Sequence, residues 1–127
     1  MTREERKDYE ERLKDLLPPL MEKWEALMGV KSRGFCLRKM KRAYGVCHIR
    51  TKEITFNLWL GAVPEALVEY IVVHELCHLR EPSHNRHFHS LVSHYLPDWK
   101  GRKKALDAFF SEQAGAGQTD RTETDMA

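Results

Sequence analysis

Between Pro64 and Pro82 the chain reads "EALVEYIVVHELCHLRE", and this stretch limits the fold more than any other. Pro64 suits the first turn of a helix, whereas Pro82 disfavours helical geometry in Glu81 and cannot continue the hydrogen-bond ladder. The spacing predicts a helix over about residues 64–80, with Ala66, Leu67, Tyr70, Ile71, Val73 and Leu76 supplying buried surface. A segment this apolar should sit inside the molecule, yet it carries two imidazoles and a carboxylate.

The flanking segments divide around it. Residues 3–28 place Tyr9, Leu13, Leu16, Leu17, Leu20, Trp24, Leu27 and Met28 at three- and four-residue steps, the period of an amphipathic helix. Pro18 and Pro19 are expected to interrupt or kink it, and Gly29 to stop it. From residue 35, "FCLRKMKRAYGVCHIRTKEITFNLWL" alternates apolar positions and predicts two or three short antiparallel strands, with turns at Gly45 and at Thr51–Lys52. Beyond Pro82, Ser83 is the expected cap of a helix bearing Phe88, Leu91, Val92, Tyr95 and Leu96, and Pro97 ends it. A last helix over about 99–111 offers Trp99, Ala105, Leu106, Phe109 and Phe110, and the small, polar residues 111–127 read as a disordered tail. The expectation is an α+β chain with one domain over residues 1–110: a helical segment at 1–29, a small antiparallel sheet at 33–60 and helices over 64–110.

Composition narrows the classes of function. No apolar run approaches the ~20 residues needed to span a bilayer, and the first twenty residues mix acids with bases instead of forming a leader, so a cytoplasmic protein is expected. Cys36, Cys47 and Cys77 form no CxxC pair and read as reduced, buried thiols. Residues 31–50 carry Lys31, Arg33, Arg38, Lys39, Lys41, Arg42 and Arg50 without one acid. That reads first as a solvated basic strand surface and second as a polyanion-binding face centred on Arg38, Lys39, Lys41 and Arg42. No RNP, zinc-finger or P-loop signature supports nucleic acid as a partner.

On a helix advancing about 100° per residue, His74 and His78 project about 40° apart, one turn above the other. Two imidazoles can then share one ion. Glu75 falls on the neighbouring flank, within reach of a metal-bound water, which is the division of labour that HExxH encodes: two nitrogen ligands and a general base for hydrolysis. The metal this pattern takes is Zn²⁺. Cys77 lies on the side away from Glu75 and reads as core.

Catalytic zinc usually takes three protein ligands. His84 follows His78 by the interval of HExxHxxGxxH sites, with Glu81 in the glycine slot and Pro82 breaking the helix instead. His84 is also expected on the inward stripe of the following helix. His87, one turn later, and Glu112, from a distant helix, are the rivals. His48, His89 and His94 are expected to face solvent.

With these residues in hand the chain resembles the YgjP-like metallopeptidase family, related to SprT-like and HtpX-like zincins. The segments "RKMKRAYGVC", "ITFNLWLGAVPEALVEYIVVHELCHL" and "SHNRHFHSLVSHYLPDWKGRKKAL" follow the order of the family's motifs over about residues 38–106. Tyr44, Val46, Ser83 and His89 stand where the family usually has Trp, Ser, Asn and Trp. The charged N-terminal helix stands where the family is expected to carry a β-rich segment. The resemblance implies a minimal zincin-like domain, a small sheet packed on helices that include the HExxH helix, with its third histidine at His84. It implies hydrolysis of a peptide or protein substrate by a zinc-bound water that Glu75 activates, with an extended peptide pairing along the strand near "YGVCHI".

His87, Tyr95 and Tyr44 are the candidates for substrate or oxyanion contacts. Two alternatives change the function: a zinc-dependent hydrolase of nucleotide phosphoanhydrides, and a DNA-associated SprT-like protein or scaffold whose structural zinc is closed by a further ligand such as Cys47. The N-terminal helix is expected to back the sheet as core rather than lie across the cleft as a latency segment.

Overall fold

Every residue from 70 to 78 is buried, so the second helix is the axis around which the rest packs. The computed structural model describes residues 1–114 and 122–125, with side chains through residue 111. Its elements run α1 (Arg3–Met28), β1 (Phe35–Arg38), β2 (Gly45–His48), β3 (Glu53–Asn57), a 3-10 segment (Leu58–Ala62), α2 (Glu65–Cys77), α3 (Arg86–Tyr95), α4 (Trp99–Ala114) and β4 (Thr122–Asp125). The class is α+β. Helices α1, α3 and α4 all pack on α2, and β2 meets α2 from the sheet side.

Thr2 and Glu5 open α1 with a reciprocal capping box, and Gly29 closes it in the left-handed conformation at φ 67°. Contrary to the expected break, α1 continues through Pro18 and Pro19. Both prolines lie on the exposed face, as do Lys14 and Asp15, whose carbonyls lose their helical donors, so water can satisfy them. The opposite face buries Leu13, Leu17, Leu20, Met21, Trp24 and Met28 against α2 and the 3-10 segment. Contact with the 3-10 segment is backbone-close. A Cβ placed on Gly61 would lie 2.3 Å from Tyr9 Cβ and 2.5 Å from its Cα. Arg12 donates to the Gly61 carbonyl at 3.0 Å beside it.

The sheet is mixed rather than antiparallel, in the order β1-β3-β2-β4, with β1 parallel and β2 antiparallel to β3. Residues 39–44 arch across the end of β3 instead of turning back beside β1. Buried Asn57 holds that arch, its amide donating to the carbonyls of Met40 (2.9 Å) and Ala43 (2.7 Å). Turn residues 49–52 then return the chain into β3, with Lys52 at φ 65°. At the far end, α4 continues through residues 111–114, where a tail was expected, and β4 runs parallel to the outer edge of β2. The remainder of the expected tail, 115–121 and 126–127, lies outside the described residues. No helix among those described is long and apolar enough to cross a membrane.

Glu69 ties three helices together. From α2 its carboxylate accepts from Trp24 Nε1 of α1 at 2.8 Å, from Lys23 at 3.3 Å and from Arg102 of α4 at 3.0 Å. Burial alone would raise its pKa, but the hydrogen bonds from Arg102, Trp24 and Lys23 outweigh burial and hold it below the usual value. A depressed carboxylate contributes stability above its unfolded pKa and loses it as pH falls through the folded one.

Two outcomes follow for stability. Gly61→Ala should destabilise by at least the roughly 1–3 kcal/mol of ordinary overpacking, because backbone and not a flexible side chain blocks the new methyl; urea unfolding measures it. Glu69→Gln should cost about 1–3 kcal/mol at neutral pH. That deficit should shrink at acid pH, as the pH falls through the lowered folded pKa of Glu69 and the wild-type carboxylate also becomes neutral. Parallel unfolding curves at neutral and acid pH check this.

Candidate metal centre

Helix α2 ends differently from its expected course to residue 80. After Cys77 the chain tightens to i→i−3 bonds, His78 N to Glu75 O (3.1 Å), Leu79 N to Leu76 O (3.0 Å) and Arg80 N to Cys77 O (3.0 Å). Pro82 prevents continuation. The cap of α3 is Asn85, not Ser83: its Oδ1 accepts from Phe88 N at 2.9 Å. His84 therefore sits in the connection and not on the inward stripe of α3, and the connection swings it back over the end of α2.

There His84 Nε2 lies 3.1 Å from His78 Nε2 and 3.4 Å from His74 Nε2. The three imidazoles offer ligand atoms all within 4.8 Å of one another. His74 and His78 are buried, whereas His84 is exposed and forms the open edge. The Nδ1 of His78 is 3.1 Å from the Glu81 carbonyl, an acceptor only, so Nδ1 carries the proton and Nε2 keeps its lone pair towards the other rings. Burial, and then the neighbouring His78, His84, His89 and Lys103, push the pKa of His74 well down, so its imidazole is neutral. Phe88 backs the trio, stacked on His78 at 4.3 Å and edge-on to His74 at 4.9 Å and to His84 at 5.1 Å. Ring nitrogens this close need a proton or a metal cation between them. The donor set fits a metal ion.

Glu75 is fully buried beside the trio and faces β2. A Cβ at Gly45 would stand 3.2 Å from both Glu75 Cγ and Oε2. Gly45 is thus the first residue of β2 and a close-approach position, not the turn expected from sequence. Cys47, the supposed closing ligand, lies outside the trio, its thiol pushed up to about 12 by burial and then by the charge of Glu75. Burial also raises Cys77 to about 12. Cys36, expected to be buried, is exposed, because its β1 position points to the outer sheet face beside Thr55.

The remaining candidates scatter. His87 is exposed on α3 and outside the trio, and the side chain of Glu112 lies outside the described residues. Tyr44 is buried on Phe110, with its hydroxyl donating to Asp107 of α4, which also accepts from Lys103 at 2.9 Å. Tyr95 packs edge-on against Trp24 of α1. Arg38, Lys39, Lys41 and Arg42 are exposed at the end of β1 and along the arch. His94 is exposed, His48 is half-buried against Thr55, and exposed His89 stacks on Trp99. The β2 edge expected to receive a peptide is paired with β4. Sequence reasoning missed Asn57, and the role of Gly45; the only signals were an Asn inside a strand and a Gly beside one.

The sequence model of the family described as YgjP-like, metallopeptidase domain, matches residues 2–109. The chain belongs to the YgjP-like metallopeptidase family. Because the match begins at residue 2, α1 is part of the family's domain rather than a replacement for a β-rich segment. Two solved structures share the fold of this YgjP-like chain. One is the metallopeptidase zymogen abylysin of Pyrococcus abyssi, with TM-score 0.64 and 20% identity over 83% of this chain and 96% of that one. The other is the zymogen jannalysin of Methanocaldococcus jannaschii, with TM-score 0.59 and 19% identity over 75% and 93%. No curated protein matches significantly.

Gly45→Ala should lower peptide hydrolysis by about tenfold or more, since a methyl would push the neighbouring carboxylate or β2 by tenths of an ångström. Metal content should stay at the wild-type level. Side-by-side kcat/KM and elemental analysis check the pair of outcomes, and undiminished turnover would mean that the close approach is immaterial.

Proposed function

We propose that this protein is a zinc metallopeptidase in which His74, His78 and His84 hold the ion and Glu75 is the general base. The observation carrying this reading is the convergence of three imidazole nitrogens, two from one helix and one from the connection after it, beside a buried carboxylate of the same helix. An all-nitrogen trio suits zinc among the common hydrolytic metals. When bound, zinc supplies a Lewis acid that polarises the substrate carbonyl and makes water acidic enough to react near neutral pH. The protein's own residues do the rest. Glu81 orients His78 through Nδ1, and Phe88 fixes all three rings while excluding water from their backs. Glu75, held against β2, accepts the proton of the attacking water on its carboxylate and returns it to the leaving amine.

Family membership and the shared fold with two metallopeptidase zymogens support a peptide or protein substrate. Three free cysteines support a reducing, cytoplasmic setting.

Glu75→Gln should keep zinc and lose hydrolysis by about 10²–10⁴-fold, and His84→Ala should lose zinc under dialysis that leaves the wild type loaded. Turnover retained in the first variant, or zinc retained in the second, would remove that residue from its role.

A further inference from the structure

Between α3 and α4 lies an open groove of about 560 Å³ lined by Arg86, His89, Ser90, Ser93, Trp99 and Lys100. The four α3 residues fall at i, i+3, i+4 and i+7 and so share one stripe. Trp99 forms a fixed floor. Its Nε1 donates to Ser93 Oγ at 2.8 Å, and its ring lies nearly parallel to His89 at 5.6 Å and to Tyr70 at 6.4 Å. Two aromatic routes join this floor to the metal centre: Tyr70 meets His74 edge-on at 5.8 Å, and Phe88 meets His89 at 5.4 Å while stacking on His78.

The charge of the groove is one-sided. Arg86 and Lys100 are exposed along it, Ser90 adds a hydroxyl, and no carboxylate is among the lining residues. Acids on the neighbouring elements are engaged elsewhere: Asp98 and Glu69 pair with Arg102, and Asp107 pairs with Lys103. Two cations in a groove with no carboxylate among its described lining residues create a field that favours anions. The outer edge of β2 is paired with β4, whereas the α3–α4 wall is an exposed surface joined to the trio through Tyr70 and Phe88.

We propose that this groove is a substrate subsite for a peptide carboxylate, held between Arg86 and Lys100 with Ser90 donating, so that cleavage occurs beside acidic residues. The inference rests on the peptidase reading for its substrate class, but not for its test. The test uses the zinc-loaded full chain carrying Glu75→Gln and three labelled peptides of one sequence: amidated with central Glu residues, amidated with Gln in their place, and the Gln form with a free C-terminus. Fluorescence anisotropy should show the Glu peptide binding about tenfold tighter than the amidated Gln peptide. The preference should weaken with salt and vanish in Arg86→Gln/Lys100→Gln.

Tight binding confined to the free C-terminus would overturn the side-chain preference and assign the groove to terminal carboxylates. Equal binding of all three peptides would overturn the subsite altogether, as would a Glu preference that survives Arg86→Gln/Lys100→Gln but is lost in Arg38→Gln/Lys39→Gln. Incubating the wild type with the same peptides separates the two readings: groove-dependent binding without cleavage removes the peptidase assignment and leaves the carboxylate subsite.

Discussion

The burial of α2 is the constraint on which the rest of the structure depends. Placing His74, Glu75 and His78 inside a core is costly unless each polar atom has a defined environment, because the low-dielectric interior penalises unmatched charge and lone pairs. The neighbouring elements answer to that demand. Phe88 of α3 fills the space behind the imidazoles, the Glu81 carbonyl sets the tautomer of His78, and β2 comes close to Glu75 at its one glycine. Helix α1, itself packed on the 3-10 segment, covers another side of α2, which allows the helix to be apolar there and chemically specialised at its C-terminal end.

This division explains what could be read from sequence. The position of α2 follows from local rules, two prolines bounding an apolar run, and the pairing of His74 with His78 follows from helical periodicity. The approach of His84 was also legible, through its interval from His78, although its setting in the connection was not. Asn85 and Ser83 are both good caps, and only the path imposed by Pro82 chooses between them.

What sequence left hidden is non-local. Asn57 holds the arch that leads from β1 to β2, but its partners Met40 and Ala43 are contacts made across that arch, with no local pattern. Gly45 looks like a turn glycine and instead admits Glu75 where a Cβ would crowd it, and Gly61 admits Tyr9 where a Cβ would collide. Pro18 and Pro19 look like helix breakers, yet their shared phase on the exposed face of α1 makes the lost hydrogen bonds tolerable. The rule about proline is sound in a helix interior; burial, which sequence does not display directly, decides how strongly it applies.

The trio also combines two kinds of rigidity. His74 and His78 move only if α2 moves, and α2 is clamped at Glu69 by side chains from α1 and α4. His84 is positioned differently. It is exposed, stands outside both helices, and owes its position to Pro82 behind it and the Asn85 cap ahead of it. Ordering a connection costs conformational entropy, so a short loop held at both ends presents a third imidazole at less cost than a long one. The same brevity brings Arg86, His89 and the groove they line beside the third imidazole. The loop that brings the third imidazole to the other two therefore also places the start of α3, with Arg86, next to it.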